Sequence, residues 1–254
     1  MADFPFGEPP FDIESVRDVS RPCYGTPASD VAKFQEYVIR QRRPAWWARE
    51  KFKIGYKGSL QRTSSSWRDL PAGPVWCFTR FGRTVTPLPS GALLYVGGEH
   101  EDFYDPDFCI YNDAVIETAD GAIYIIGFPK DVFPPTDFHT ATLVGSDVWV
   151  IGSLGYLDQR RECETQVIRL TIDDLGDPEE LTAQTVDTTG DNPGWVSRHE
   201  ARYVRGRNEI VVWGGQVWET RNGELDLHDN HSGFALSLDS MEWRRMGFDE
   251  AADA

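Results

Sequence analysis

A chain of 254 residues with 40% hydrophobic and 13% aromatic content is long and apolar enough to bury one full core. Its net charge of −16 is uneven: residues 1–70 hold 12 Lys and Arg against 9 Asp and Glu, and residues 71–254 hold 13 against 32. Such an acidic body repels a polyphosphate backbone, which argues against nucleic acid as its partner and for a basic one.

No apolar run approaches the roughly 18 residues of a membrane helix. The longest, Ala122 to Phe128, is strand-sized. The first ten residues carry neither a basic region nor an apolar stretch, so a secretory signal is not expected. Cys23, Cys77, Cys109 and Cys163 are dispersed with no C-x-x-C pair, which suits a reducing compartment. These features set the expectations of a cytoplasmic, soluble chain with no membrane contact and no cofactor.

Residues 1–28 are broken by Pro5, Pro9, Pro10, Pro22 and Pro27 and read as an extended arm. Ser29 and Asp30 offer an N-cap, and Val31, Phe34 and Val38 mark one face of a helix over 30–43, ending before Pro44. Arg40, Arg42, Arg43, Trp46, Trp47, Arg49, Lys51 and Lys53 follow as interleaved cations and aromatics. They suit either a nucleic-acid contact or packing of the aromatics onto an acidic body. Trp67 to Pro71 reads as a capping strand, completing an N-terminal region of 1–78.

Three similar units follow within 79–248. The first has strands over Thr84–Leu88, Ala92–Val96, Cys109–Thr118 and Ala122–Phe128, with Gly97-Gly98 after the second. In the second unit the strands are Thr140–Val144, Val148–Ile151, Gln166–Thr171 and Leu181–Asp187, with Gly152-Ser153 at the same place. The third repeats the order with Ala201–Val204, Glu209–Trp213, Phe234–Leu238 and Glu242–Met246, and Gly214-Gly215. The acidic tail, 249–254, is expected to fray.

Units of 55–60 residues with a double glycine after the second strand and a Trp in the fourth resemble the kelch repeat, whose period is about 50. Pro134-Pro135-Thr136-Asp137-Phe138-His139 and Pro193-Gly194-Trp195-Val196-Ser197-Arg198-His199 are similar to the entry of the kelch first strand. Tyr111-Asn112-Asp113 is similar to its third strand and Met241-Glu242-Trp243 to its fourth. The resemblance implies an all-β kelch-type β-propeller or partial propeller with three clear four-stranded blades. Closed propellers have 4–8 blades, so the remaining edges need a cover: a further degenerate blade within 30–78, a homodimer pairing two arcs, or the N-terminal region as a cap.

The connections between second and third strands are where such a fold would bind. Glu99, His100, Glu101, Asp102, Tyr104, Asp105 and Asp107 form an acidic first connection that suits either a hard cation or the Lys and Arg side chains of a partner. Arg160 and Arg161 in the second could receive a carboxylate or phosphate or form a solvated tip, and Trp218 joins them from the third. In the third, Asp226, His228 and His231 are an alternative metal set. His139 and His199 recur at one unit position and are read as structural hydrogen-bonding groups rather than catalysts. The first functional expectation is a non-enzymatic protein-protein interaction scaffold with a basic protein partner, inhibitory or immunity-like. The alternative is a metal-dependent lyase or isomerase with its site at the channel mouth.

Overall fold

The computed structural model describes residues 80–100, 109–119, 123–128, 130, 132–172 and 181–254. The expected N-terminal arm, helix and capping strand therefore lie outside the described residues, as do the basic-aromatic run and the possible further unit over 30–78.

The described chain is all-β apart from one short helix and a 3-10 turn. In the first unit β1 (Thr84–Pro87) and β2 (Leu93–Val96) are followed by the short pair β3 (Glu99–His100) and β4 (Cys109–Ile110), then β5 (Asp113–Glu117) and β6 (Ile123–Gly127). They pair antiparallel as β1-β2-β5-β6, with β3-β4 apart. The second unit holds β7 (Thr140–Val144), β8 (Asp147–Ile151), β9 (Val167–Ile172) and β10 (Leu181–Thr185), in the order β10-β9-β8-β7. The rest contains β11 (Thr189–Gly190), β12 (Trp195–Ser197), β13 (Glu200–Val204), β14 (Glu209–Trp213), β15 (Gln216–Arg221), β16 (Glu224–Asp229), β17 (Gly233–Ser237), β18 (Glu242–Met246) and the helix α1 (Phe248–Asp253). The third sheet runs β11-β18-β17-β14-β13, with β11 parallel to β18, and β12-β15-β16 form a separate antiparallel sheet.

Strand alternation builds the core. In β8, Val148 and Val150 face a cluster with Leu94, Val96, Ala114 and Ile116 of the first sheet, while Trp149 and Ile151 face Ile210, Val212, Leu236 and Trp243 of the third. The second sheet is thus buried on both faces, and a strand in that position needs the near-continuous apolar run DVWVI. On the third sheet the opposite parity, Val211 and Ala235, joins Met246 to cover Ala251 of α1. The layers are sheet, sheet, sheet, helix.

The units are joined by a repeated set of bonds. The Phe138 amide donates to the Gly82 carbonyl at 2.7 Å, and the Arg198 amide donates to the Phe138 carbonyl at 2.8 Å. These three residues share a positive φ of 61°, 46° and 55°. In the first two units the first glycine after the second strand is explained by the next unit's backbone. A Cβ on Gly97 would stand 2.2 Å from the Thr136 carbonyl oxygen, and one on Gly152 would stand 2.3 Å from that of Val196.

Three sequence expectations need correction. The tail does not fray into coil: Phe248–Asp253 is helical, Ala251 is fully buried, and Arg202 Nη2 donates to the Ala252 carbonyl at 2.8 Å. Cys109–Thr118 is not one strand, because Tyr111 and Asn112 turn out of it. The Tyr111 amide donates to Gly98, its carbonyl accepts from Thr136, and Asn112 Nδ2 donates to the Phe128 carbonyl. The stretch before His231 is not loop but the β15–β16 hairpin, turned by Asn222 and Gly223, both at positive φ.

Candidate functional site: the face formed by three connections

The connections β2–β5, β8–β9 and β14–β17 meet on one face. The Ile110 amide donates to the Tyr156 hydroxyl at 2.8 Å, which ties the first to the second. The Thr220 amide donates to Glu162 Oε1 at 2.7 Å, and the Arg160 guanidinium lies 4.9 Å from the Trp218 ring centroid, which ties the second to the third. Of the residues expected from sequence, Arg160 and Trp218 are thus brought into contact. Arg160 is partly buried and donates from Nε to the Leu154 carbonyl at 3.0 Å. Arg161 turns away, with Nη1 on the carbonyls of Asp158 and Arg160.

A buried acid sits behind this contact. Asp137 is fully buried, and its Oδ1 accepts from the Gly155 amide at 2.7 Å and the Ser153 hydroxyl at 3.2 Å. Burial pushes its carboxyl above the usual range, opposed by the Gly155 amide, by the hydrogen bond with Glu99, by Ser153 and by the charge of Arg160. Burial also lowers the Arg160 pKa, partly offset by Asp137; Arg198 lowers it further and Asp226 raises it. Arg198 in turn lies 4.3 Å from the Phe138 ring centroid and donates to Gln216 Oε1 at 3.0 Å.

Glu99 falls in β3, pairing with Ile110, and His100 pairs with Cys109. Glu101, Asp102, Tyr104, Asp105 and Asp107 lie outside the described residues. In β16, Asp226 stands opposite Glu219 and His228 opposite Val217, so Asp226 and His228 share a strand face, while His231 lies beyond the strand's end. Among the described residues no group of three His, Cys, Asp or Glu side chains is placed to hold a metal ion.

His139 and His199 are buried structural groups. Their Nε2 atoms lie 2.8 Å from the Thr84 hydroxyl and 3.0 Å from the Thr140 hydroxyl, one unit back along the chain. The sequence reading of both as hydrogen-bonding groups matches this geometry.

Asp137, Ser153 and Arg198 were missed as site residues. The available signal was positional: just before the positive-φ residue of each unit stand Phe81, Asp137 and Ser197, and only the middle unit puts an acid there. Ser153, where the other units have glycine, supplies that acid's hydroxyl donor.

No protein-family model matches the chain, and no curated protein matches it. A solved structure titled "Structure of YjhT" is similar over 67% of this chain, with a TM-score of 0.46 and 11% identity. The match covers 52% of that structure, so the chain spans about half its length.

Proposed function

We propose that the chain is a kelch-type β-propeller or partial propeller of three blades that acts as a non-enzymatic interaction scaffold for a basic protein partner. The observation that carries this reading is the joining of three connections into one face through Ile110–Tyr156, Glu162–Thr220 and Arg160–Trp218. Residues 99–111, 153–166 and 214–232 carry net charges of −5, −1 and −3. A face of that sign steers cations toward it and resists anions.

The reading is tested by copurification with the full chain at physiological salt and again at about 0.5 M salt, where the Debye length shrinks to about 4 Å. A second bait carries E101Q, D102N, D105N, D107N, D158N, E164Q, E224Q, D226N and D229N. A partner lost at high salt and from the second bait supports the scaffold. One held equally by both baits overturns it.

A second reading is favoured by buried Asp137, held by the Gly155 amide and the Ser153 hydroxyl near Glu99 and Arg160, with its carboxyl raised by burial. It is the lyase or isomerase alternative, with Glu99 and Asp137 moving a proton. Elemental analysis of the purified protein tests its metal-dependent form: protein without stoichiometric metal removes that form.

A further inference from the structure

Two clefts flank the face on either side of one hydrogen bond. The smaller, about 550 Å³, is lined by Val217, Trp218 and Phe234 and by the backbone of 190–194. The larger, about 710 Å³, is lined by Pro134, Val167, Val186 and Trp195. Cys163 and Asn192 line both, and Asn192 Nδ2 donates to the Cys163 carbonyl at 3.0 Å. Each volume lies within the range of a site that encloses a few side chains.

The charges around the clefts are unequal in their freedom. Asp158, Glu164 and Asp187 border the larger cleft and Asp191 the smaller; all four are exposed, and none has an ion-pair partner among the described residues. Three arginines also line the clefts and offset part of this charge. Arg161 serves two backbone carbonyls, Arg221 is paired with Glu219, and Arg245 Nη2 donates to the Ser232 hydroxyl at 2.6 Å. The two linings together hold five acids against three arginines, a net charge of −2, with Trp195, Trp218 and Phe234 set among polar groups.

The larger cleft also borders a strand end. Among the described strands β10 is the outermost of its sheet, and Thr185 to Thr188 run from its end along the cleft wall. An unpaired strand edge offers backbone groups to an extended chain, and the neighbouring pockets then select alternate side chains.

We propose that the two clefts form one docking groove for an extended, basic segment of a partner protein, crossing the Cys163–Asn192 bridge. The proposal rests on the scaffold reading and gives that scaffold a specific seat. Lys or Arg side chains of the segment meet Asp158, Glu164, Asp187 and Asp191, and its intervening side chains settle on Trp195 and Trp218.

The test uses the full chain and a dye-labelled eight-residue peptide alternating Arg and Thr, read by fluorescence anisotropy. The groove variant D158N/E164Q/D187N/D191N is expected to lose about tenfold in affinity, and the control variant E200Q/E250Q/D253N, at exposed acids that line neither cleft, to stay within about threefold. All seven positions are exposed or half-exposed polar sites, so both variants should keep the parent's thermal unfolding curve. A position readout comes from peptides ending in a thiopyridyl-activated cysteine, from which the Cys163 thiolate displaces thiopyridone to form a mixed disulfide. The Arg peptide should capture Cys163 faster than an alternating Glu and Thr peptide, and the groove variant should erase the difference. Equal losses in both variants, equal capture of the two peptides, or no binding by the parent chain overturns the groove. If the salt-sensitive partner still depends on the face carboxylates in any of those cases, the scaffold reading stands without the groove.

Discussion

The Thr140 hydroxyl lies 3.0 Å from Nε2 of His199, the histidine that opens the following unit, and Thr84 stands in the same relation to His139 at 2.8 Å. Both imidazoles are buried against the preceding unit, beside Gly97 and Gly152. Burial, with a smaller contribution from His199, lowers His139 to about 3, and burial lowers His199 to about 4.

That pair fixes an acid limit on stability. Unfolded imidazoles titrate near 6.5, so below that pH the unfolded chain binds protons that the folded chain refuses. The stability tied to these groups is full above about pH 6.5 and falls as the pH drops toward the folded values. By pH 5.5 the two sites together remove about 2–3 kcal/mol. Urea unfolding at pH 7.5 and 5.5 measures this, and the H139Q/H199Q variant should lose most of the difference.

Asp137 carries the opposite sign. Its carboxyl is raised by burial, so its contribution is greatest in acid and is lost as the pH rises through the folded value. Asn resembles the protonated acid in shape, so D137N should cost about 1 kcal/mol or less, while D137A should cost about 2–3 kcal/mol by stranding the Gly155 amide and the Ser153 hydroxyl. Denaturant unfolding from about pH 4 upward compares them with the parent, since D137N removes the Asp137 part of the pH dependence, which begins above the unfolded carboxylate's range.

Gly233 is the contact on which α1 rests. A Cβ there would stand 2.3 Å from the Ala251 Cβ and 2.7 Å from the Gly247 carbonyl oxygen. G233A should therefore push the helix off the sheet at a cost of about 1–3 kcal/mol. Hydrogen exchange should show the amides of 249–254 losing protection while those of β8 and β14 keep theirs.

Trp243 is buried in the seam between the second and third sheets, with Nε1 donating to the Thr188 hydroxyl at 3.1 Å. W243A should cost about 3–5 kcal/mol through the cavity, and W243F markedly less. Thermal unfolding of the two variants against the parent decides this, and T188V should cost W243F nothing further, because the bond is already absent.

The strands of the three units were legible because period-2 apolar runs and their following small residues recur three times. Gly97 and Gly152 were informative for the same reason that they are required: backbone from the next unit passes where a side chain would be. The β15–β16 hairpin was missed although Asn222-Gly223 is a strong two-residue turn signal, since its outward charges Glu219, Arg221, Glu224 and Asp226 hide the alternation. α1 was missed because a six-residue helix that buries only Ala251 shows no readable periodicity. The carboxyl pair of Glu99 and Asp137 joins residues 38 positions apart, a proximity that no local pattern expresses.

The stepped bonds from Arg198 to Phe138 and from Phe138 to Gly82 make the junctions interchangeable. Removing residues 139–198 would leave Phe138 on the Gly82 carbonyl and set His199 directly after it, facing the same Thr84 hydroxyl that His139 now meets. A gene that gained or lost one such segment would rejoin a socket it already encodes, so the length of this architecture can change by whole modules without the invention of a new interface.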